Sequence, residues 1–350
     1  MHDNPMGTDG FEFVEYTAPD VSELGQLFAG LGFIETARHR SKNVVWYRQG
    51  DINFLVNGEP DSFSQAFAQE HGPSICAIGL RVKDAPEAHA RALELGAEPH
   101  TGPVGPMELN IPAIKGIGGS VIYLVDRYGD RSIYDVDFRP VETSPDHSGV
   151  GLFEIDHLTH NVHAGQMDVW ASFYERIFNF HEIRRFDIRG KQTGLVSRAM
   201  ESPCGKIKIP INEPTEQASQ IQEYLDAYRG EGIQHLALSC RDIYASVEQL
   251  CARGVRFLDT PDAYYEALDA RLPGHGQPLE RLRAQRILLD GAVTDEGPSL
   301  LLQIFTETVI GPIFFELIQR LGDEGFGEGN FQALFEAIER DQQERGVISA

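Results

Sequence analysis

The feature that most constrains the fold of this 350-residue chain is an internal repeat. One segment occurs near the start as GFEFVEYTAPDVSELGQLFAGLGF and again after residue 150 as FEIDHLTHNVHAGQMDVWASFYERIFNF. Each copy has a strand-like alternating stretch followed by apolar residues at helical spacing. A second segment occurs as ICAIGLRVKDAPEAHARALELGAEP and as IQHLALSCRDIYASVEQLCARGVRF. In these two copies, Asp84 and Asp242 predict helix N-caps, and Gly96 and Gly254 predict helix ends.

A third and weaker match pairs GGSVIYLVDRYGDRSIYDVDF with GPSLLLQIFTETVIGPIFFEL. Because three segments recur in the same order, we favour a duplicated fold over chance similarity between strand–helix units. The sequence predicts an α+β protein in which helices pack outside mixed sheets that curl around cavities. We expect two domains, residues 1–145 and 151–350, joined near the linker-like stretch VETSPDHSGV.

The second half carries two further helical patterns. One is PDAYYEALDARLPGHGQPLERLRAQRI, and the other lies in NFQALFEAIERDQQERG near the C-terminus. The second pattern places Phe331, Leu334, Phe335 and Ile338 at helical spacing, which predicts an amphipathic helix docked on the body. Gly325, Gly327 and Gly329 precede it and permit a hinge, so the helix is expected to act either as a lid or as a fixed element.

Composition excludes some classes of partner. The formal net charge is −23, which disfavours nucleic acid and anionic membranes because both require a basic surface. No apolar stretch has the length of a membrane helix, and the start, MHDNPMGTDG, lacks a signal-peptide core. The four cysteines are scattered without a CxxC pair, which is typical of free thiols in a reducing compartment. We therefore expect a cytoplasmic protein.

The two halves differ at positions that bear metal-binding chemistry. Where the second half has His157 in its first strand, the first half has Glu15. Where the second half has His235, the first half has Ala77. Glu316 stands in the apolar stretch IFFELI of the second half, and burying a lone ionised carboxylate there is unfavourable. A partner or a divalent cation would remove that cost.

Two imidazoles and one carboxylate on three strands form the facial set that holds Fe(II) and leaves coordination positions open. His157, His235 and Glu316 are therefore the candidate metal ligands. An isolated strand histidine is more often a hydrogen-bonded core or surface residue, and His160 and His163 remain rival ligands. Strand alternation places His160 on the face opposite to His157. A zinc hydrolase is disfavoured because no HExxH motif is present.

Several ordered motifs resemble those of the 4-hydroxyphenylpyruvate dioxygenase family. They are IDHLTHNV, GIQHLAL, PINEP with SQIQEYL, LLQIF with FFELIQR, and GFGEGNFQALFEAIERDQQERG. These motifs fall within residues 151–350, and the first half resembles the family more loosely. The resemblance implies a two-domain vicinal oxygen chelate fold with paired βαβββ modules in each half. It also implies that the first domain is a scaffold without metal.

The resemblance implies an Fe(II) enzyme of tyrosine and phenylalanine catabolism. Its substrates would be 4-hydroxyphenylpyruvate and O₂, and its products homogentisate and CO₂, through decarboxylation, ring hydroxylation and side-chain migration. The iron would be held by His157, His235 and Glu316. We expect a homo-oligomer, either a dimer or a tetramer, and no nucleic-acid or membrane partner.

The resemblance also assigns residues of the pocket. Amides with a catalytic role would be Gln234, Gln303 and Asn212. Substrate-binding residues would be Ser197, Gln220, Phe305, Phe314, Phe326, Asn330 and Phe331, with Thr193 as a rival to Ser197. The alternative roles are core packing for each phenylalanine and surface exposure for each amide.

Two other functions are compatible with the same motifs. A 4-hydroxymandelate synthase would share the fold, the iron ligands and the substrate but would hydroxylate the benzylic carbon. The bulk of Phe305, together with Pro210 and Pro214, favours attack on the ring. A metal-free binding protein of the same fold is disfavoured because all three candidate ligands are retained.

Overall fold

The computed structural model describes residues 3–142, 146–189, 194–215 and 219–333, and its strands form two sheets. The first-half elements are β1 (Phe11–Thr17), α1 (Ser22–Gly30), β2 (Ile34–His39), β3 (Val44–Gln49), β4 (Ile52–Asn57), α2 (Phe63–His71), β5 (Ser74–Arg81), α3 (Ala85–Glu94), β6 (Pro99–His100), β7 (Ala113–Lys115), β8 (Val121–Val125), α4 (Tyr134–Asp137) and β9 (Phe138–Pro140), with a 3₁₀ turn at Ile117–Gly119.

The second-half elements are β10 (Leu152–Asn161), α5 (Met167–Phe178), β11 (His181–Arg189), β12 (Gly194–Glu201), β13 (Lys208–Pro214), α6 (Gln220–Tyr228), β14 (Gly232–Cys240), α7 (Ile243–Ala252), α8 (Asp262–Arg271), α9 (Leu279–Gln285), β15 (Leu288–Thr294), β16 (Gly297–Phe305) and β17 (Phe314–Leu321). Helices α8 and α9 lie in the additional helical region predicted for this half. No helix among the described residues is long and apolar enough to cross a membrane.

Strand order confirms the repeat. The nine-stranded sheet runs β6-β7-β8-β5-β1-β4-β3-β2-β9, and the eight-stranded sheet runs β11-β12-β13-β10-β14-β17-β16-β15. In the first sheet, β1 is antiparallel to β5 and parallel to β4, and β5 is parallel to β8. In the second sheet, β10, β14, β13 and β17 have the same relationships. Both sheets are therefore mixed and share one central arrangement of four strands.

The third sequence match was wrong in its alignment. It pairs the VIYLV segment of β8 with the LLLQI segment of β16, whereas β8 occupies the sheet position of β17. The two strands have the same neighbours, since β8 is parallel to β5 and antiparallel to β7, as β17 is parallel to β14 and antiparallel to β16. Consecutive apolar residues in both β16 and β17 left the sequence register ambiguous.

The predicted helix limits agree with the structure in both copies of the second segment. The side chain of Asp84 accepts a hydrogen bond from the backbone N–H of Glu87, and that of Asp242 accepts one from Ala245. Gly96 and Gly254 follow these helices with φ of 85° and 86°, a left-handed conformation that glycine adopts without strain. Local sequence thus fixes where α3 and α7 begin and end.

One continuous apolar core joins the two halves. Phe315 of β17 lies against two first-half rings, with its centroid 6.0 Å from Phe54 and 6.5 Å from Tyr16. Phe315 follows Phe314 and precedes Glu316, so strand alternation turns those two neighbours to the opposite face of the sheet. Packing of Phe315 in the core thus fixes the orientation of Phe314 and Glu316, which face the cavity.

Residues 328–333 are helical. The remainder of the predicted C-terminal helix, including Leu334, Phe335 and Ile338, lies outside the described residues. Part of the predicted linker, residues 143–145, does so as well.

Candidate metal centre and adjoining pocket

His157, His235 and Glu316 converge at the centre of the second sheet. Their strands, β10, β14 and β17, are neighbours, and Ala237 of β14 lies opposite both His157 and Glu316. His235 precedes Ala237 by two residues and therefore shares its face. One potential ligand atom from each of the three side chains lies within 4.8 Å of the other two. Glu316 Oε2 is 3.3 Å from His157 Nε2 and 3.5 Å from His235 Nε2.

The electrostatics of this cluster suit a cation. All three side chains are buried, and Glu316 is only 2% exposed. Burial disfavours the charged form of Glu316, but the adjacent His157 and His235 outweigh it and lower the pKa of Glu316 to about 2. Burial likewise opposes protonation of His157, but Glu316 and Asp156 raise its pKa to about 9. The carboxylate is thus held ionised, and a divalent cation would satisfy it together with two neutral imidazoles.

Each candidate ligand has a supporting hydrogen bond from a second residue. His157 Nδ1 is 2.8 Å from Asp156 Oδ1, and His235 Nδ1 is 3.0 Å from Gln234 Oε1. The third ligand, Glu316, accepts a hydrogen bond from Gln303 Nε2 through Oε1, at 2.8 Å. Such partners orient metal ligands and leave the atoms on their other side free to bind.

Asp156 is itself held by Arg320, a pairing that the sequence did not single out. The guanidinium donates to Asp156 Oδ2 from Nε at 2.7 Å and to Oδ1 from Nη2 at 2.8 Å. The strand register is irregular between Ile155 and His157, so adjacent residues Asp156 and His157 can approach each other's side chains. Despite burial, Arg320 and His157 hold the pKa of Asp156 well below its usual range. The available sequence signal is the four-residue spacing of Glu316 and Arg320, which places both on one face of β17.

A cavity of about 220 Å³ adjoins the three ligands. Eight of the predicted pocket residues line it, namely Ser197, Asn212, Gln220, Gln234, Phe305, Phe314, Phe326 and Phe331. The sequence reasoning did not assign Thr159, Phe186, Leu195, Ser219, Ile221 and Leu258, which also line the cavity. Phe186, Leu195 and Leu258 fall in stretches with no motif, so only the fold brings them to this wall.

Gln303 and Asn330 lie behind the cavity wall rather than on it. Gln303 is 1% exposed and donates from Nε2 to Glu316 and to the carbonyl of Phe326, at 2.8 and 3.2 Å. Its Oε1 accepts a hydrogen bond from Asn330 Nδ2 at 2.8 Å. Asn330 Oδ1 in turn accepts a 2.6 Å hydrogen bond from the hydroxyl of Tyr264. This chain of amides connects the carboxylate ligand to the C-terminal segment.

The cavity has a polar end and an aromatic body. Ser197 and Asn212 lie opposite each other on β12 and β13, and Ser197 Oγ is buried with no hydrogen-bond partner among the described residues. Near the ligands, the Phe314 ring stacks on His235 at 4.7 Å, and Phe326 meets His157 edge-on at 5.2 Å. The cavity therefore fits a flat apolar ring with a polar group at its far end.

The rival ligands do not join the cluster. His160 is buried on the opposite face of β10, where its Nε2 lies 2.7 Å from the hydroxyl of Tyr174. His163 is exposed. Within the described residues, the only group with metal-ligand geometry is the His157, His235 and Glu316 cluster. Thr193, the rival to Ser197, lies outside the described residues.

Comparisons with known proteins identify the family. Residues 2–139 match the model for hydroxyphenylpyruvate dioxygenase, HPPD, N-terminal, and residues 154–269 match the glyoxalase/bleomycin resistance protein/dioxygenase superfamily. The chain is 61% identical to 4-hydroxyphenylpyruvate dioxygenase of Pseudomonas aeruginosa, over 99% of this chain and 97% of the relative. It is 60% identical to hemolysin VllY of Vibrio vulnificus, over 99% of this chain and 98% of the relative.

Among solved structures, a triple mutant of 4-hydroxymandelate synthase from Streptomyces coelicolor superposes with a TM-score of 0.82 at 27% identity. The match covers 96% of this chain and all of that one. The vicinal oxygen chelate fold is therefore confirmed. Identity above 60% over nearly the whole length of the Pseudomonas protein is decisive at the family level: the chain belongs to the 4-hydroxyphenylpyruvate dioxygenase family.

Proposed function

We propose that this protein is an Fe(II)-dependent dioxygenase that converts 4-hydroxyphenylpyruvate and O₂ to homogentisate and CO₂. The observation that carries the proposal is the buried cluster of His157, His235 and Glu316, whose ligand atoms lie within 4.8 Å of one another beside an aromatic-lined cavity. Two imidazoles and a carboxylate suit ferrous iron and leave coordination positions open. Iron held there would supply the oxidative chemistry for a 2-oxo acid and O₂.

The protein's own residues would bind and orient the substrate. The oxo-acid end faces the cluster, where Gln234 lines the cavity next to His235. The ring lies among Phe305, Phe314 and Phe326, and its hydroxyl reaches the polar end formed by Ser197 and Asn212. Neutral amides and a hydroxyl can hydrogen-bond the substrate without adding a charge that competes for the metal.

The wall behind the cavity would keep this geometry fixed. Gln303 holds Glu316 and the carbonyl of Phe326, and Asn330 holds Gln303, so the carboxylate ligand and one aromatic wall share a support. We assign Gln303 and Asn330 to positioning, and we retain Gln220 and Phe331 as substrate contacts because both line the cavity. A substrate enclosed by these aromatic side chains would be shielded from water at the reacting atoms.

We assign residues 1–145 to a scaffold domain without metal and residues 151–350 to the catalytic domain. In support, the described residues of the first half contain no group of side chains with metal-ligand geometry. The cytoplasmic location and the homo-oligomeric state remain predictions.

Product analysis tests the reaction against its nearest rival. The enzyme, reconstituted with Fe(II) and given 4-hydroxyphenylpyruvate and O₂, should yield homogentisate and one CO₂ per substrate. The 4-hydroxymandelate synthase reading predicts 4-hydroxymandelate instead. Ring attack is favoured by the bulk of Phe305 and by Pro210, both of which line the cavity, and by the identity to the Pseudomonas dioxygenase.

A further inference from the structure

The first half encloses a cavity of its own, of about 300 Å³, to which the proposed reaction assigns no role. We call it the N-terminal cavity, and Phe13, Glu15, Lys42, Leu55 and Tyr123 are among the residues that line it. It lies on β1 and β8 of the first sheet, the counterparts of β10 and β17 beside the metal cluster. The duplicated fold therefore forms two cavities, and among the described residues the metal-binding set lies beside the second.

The register of the strands identifies what replaced each metal ligand. In the second half, Ala237 of β14 lies opposite Glu316 of β17. In the first half, Gly79 of β5 lies opposite Tyr123 of β8, and Gly79 aligns with Ala237 in the sequence repeat. Tyr123 thus takes the place of Glu316. Phe13 lies opposite Gly79 as His157 lies opposite Ala237, so Phe13 takes the place of His157, and the sequence alignment of Glu15 with His157 was wrong by two residues. Glu15 lies opposite Ala77 as Thr159 lies opposite His235, so this cavity carries a carboxylate at a position that is not a metal ligand in the second half.

Glu15 is a buried carboxylate on the wall of this cavity. It is 7% exposed, and its Oε1 accepts hydrogen bonds from Asn57 Nδ2 at 2.7 Å and from Cys76 Sγ at 3.5 Å. Within the described residues it forms no ion pair. Lys42, on the same cavity, pairs with Glu108 at 3.0 Å. Burial raises the pKa of Glu15, and the hydrogen bonds from Asn57 and Cys76 and the attraction of Lys42 offset this effect only in part.

The phenol beside Glu15 is also unused. The Tyr123 hydroxyl has no hydrogen-bond partner among the described residues. Burial raises the pKa of this hydroxyl, and the negative charge of Glu15 raises it further. Polar residues such as Asn57, His89 and His100 also line the cavity, and Phe13 and Leu55 contribute an apolar wall. Phe13 lies 5.7 Å from the Tyr123 ring, and Leu55 packs in the same cluster of buried residues. A carboxylate and a phenol on the same cavity as this apolar wall favour a ligand that brings a charged donor on an apolar body.

We propose that the N-terminal cavity binds a small molecule with a primary ammonium group on an aromatic body. The ammonium donates to the free oxygen of Glu15 and to the hydroxyl of Tyr123, and the aromatic body packs against Phe13 and Leu55. Such a ligand supplies the missing counter-ion, gives the phenol a partner and also gains cation–π attraction from the adjacent rings. This site is separate from the metal cluster, and ligand binding there does not depend on the proposed reaction.

Calorimetric titration of the full-length protein tests this site, with phenethylamine as the probe and 2-phenylethanol as its uncharged analogue. Phenethylamine should bind, and 2-phenylethanol should bind at least tenfold more weakly, because a charge-assisted hydrogen bond is lost. Glu15→Gln should weaken phenethylamine binding by roughly tenfold or more. Glu316→Gln removes the carboxylate beside the other cavity and should leave phenethylamine binding unchanged.

Three results would overturn the proposal: no binding of phenethylamine at millimolar concentration, equal binding of the amine and the alcohol, or a loss of affinity in Glu316→Gln rather than in Glu15→Gln. If Glu15→Gln does not fold, the two ligands compared in the wild-type protein and in Glu316→Gln still decide the matter. Tyr123→Phe is a milder second variant. It should weaken the binding of phenethylamine and leave the binding of 2-phenylethanol unchanged.

Discussion

Arg320 and Asp156 form a two-point ion pair directly behind the first metal ligand, with donor–acceptor distances of 2.7 and 2.8 Å. The remaining Arg320 nitrogen, Nη1, donates to the backbone carbonyls of Asp323 and Gly325 at 2.9 and 2.7 Å. These carbonyls lie just before Phe326, which packs edge-on against His157. One guanidinium therefore supports both the ligand histidine and the segment that closes the cavity over it.

Arg320→Gln should weaken iron binding more than a loss of surface charge would. The substitution leaves the buried carboxylate of Asp156 without its cation and loosens the orientation of His157, so we expect Fe(II) affinity to fall by about 10- to 100-fold. Anaerobic Fe(II) titration measures this directly. Arg184→Gln is the matched control, because Arg184 is 51% exposed in its pair with Glu328 and should leave affinity unchanged. Equal effects of the two substitutions would reject the supporting role of Arg320.

Substitution of a candidate ligand should abolish metal binding, whereas substitution of the neighbouring His160 should not. His157→Ala and Glu316→Ala should each abolish iron binding and turnover, since each removes a ligand atom from the cluster. His160→Ala should retain the metal but lose stability, because His160 is buried in a hydrogen bond with Tyr174. Metal analysis and thermal unfolding of the three variants check this. A wild-type iron content in Glu316→Ala would refute its assignment as a ligand.

Gln303→Leu should lower kcat/KM through the metal ligand rather than through direct contact with substrate. The side chain touches Glu316, the Phe326 carbonyl and Asn330, and it does not line the cavity. We expect Fe(II) affinity and kcat/KM to fall together, by roughly tenfold or more. Anaerobic Fe(II) titration measures the iron affinity, and steady-state kinetics at saturating iron measure kcat and KM separately from it. An increase in KM alone, with unchanged iron affinity, would instead indicate a direct contact.

Ser197→Ala should raise KM without destabilising the protein. Ser197 Oγ is buried and without a partner among the described residues, so its removal leaves no donor or acceptor unsatisfied. The control is Ser202→Ala, because Ser202 is equally buried but accepts a hydrogen bond from the backbone N–H of Ile207. That variant should lose about 1 kcal/mol of stability and keep its KM. A lower melting temperature for Ser197→Ala than for Ser202→Ala would contradict this reading of the pocket.

Glu15→Ala should leave dioxygenase turnover intact. Glu15 lines the N-terminal cavity and has no part in the metal cluster or its pocket. Turnover of 4-hydroxyphenylpyruvate, measured by oxygen uptake, should match that of the wild type within error. Loss of turnover in a variant whose circular dichroism is unchanged would mean that the first half is more than a scaffold.

Much of the centre was predictable because the chain offers its own comparison. A duplicated fold makes His235 stand out against Ala77, and local capping signals mark α3 and α7. The alignment of His157 with Glu15 was wrong by two residues, because the sheet register puts Phe13 in the place of His157. What the sequence could not decide depends on strand register and distant packing. Because β16 and β17 are both apolar, the sequence alignment paired β8 with β16 instead of β17. The correspondence of Tyr123 with Glu316 follows only from the strand register of the structure.

The same limit applies to the amides. A motif can associate Gln303 and Asn330 with a site, but whether they line its cavity or stand behind it depends on side-chain contacts between residues 27 positions apart. The pairing of Arg320 with Asp156, 164 positions away, is likewise a product of tertiary structure.

The central claim is that three side chains of the second half hold one ferrous ion at the end of the aromatic cavity. Anomalous diffraction at the iron edge, from crystals loaded with Fe(II) under anaerobic conditions, tests it most directly. The account predicts a single strong peak per chain, within bonding distance of His157 Nε2, His235 Nε2 and a carboxylate oxygen of Glu316. A peak elsewhere, or full iron loading with no density between these three side chains, would contradict it.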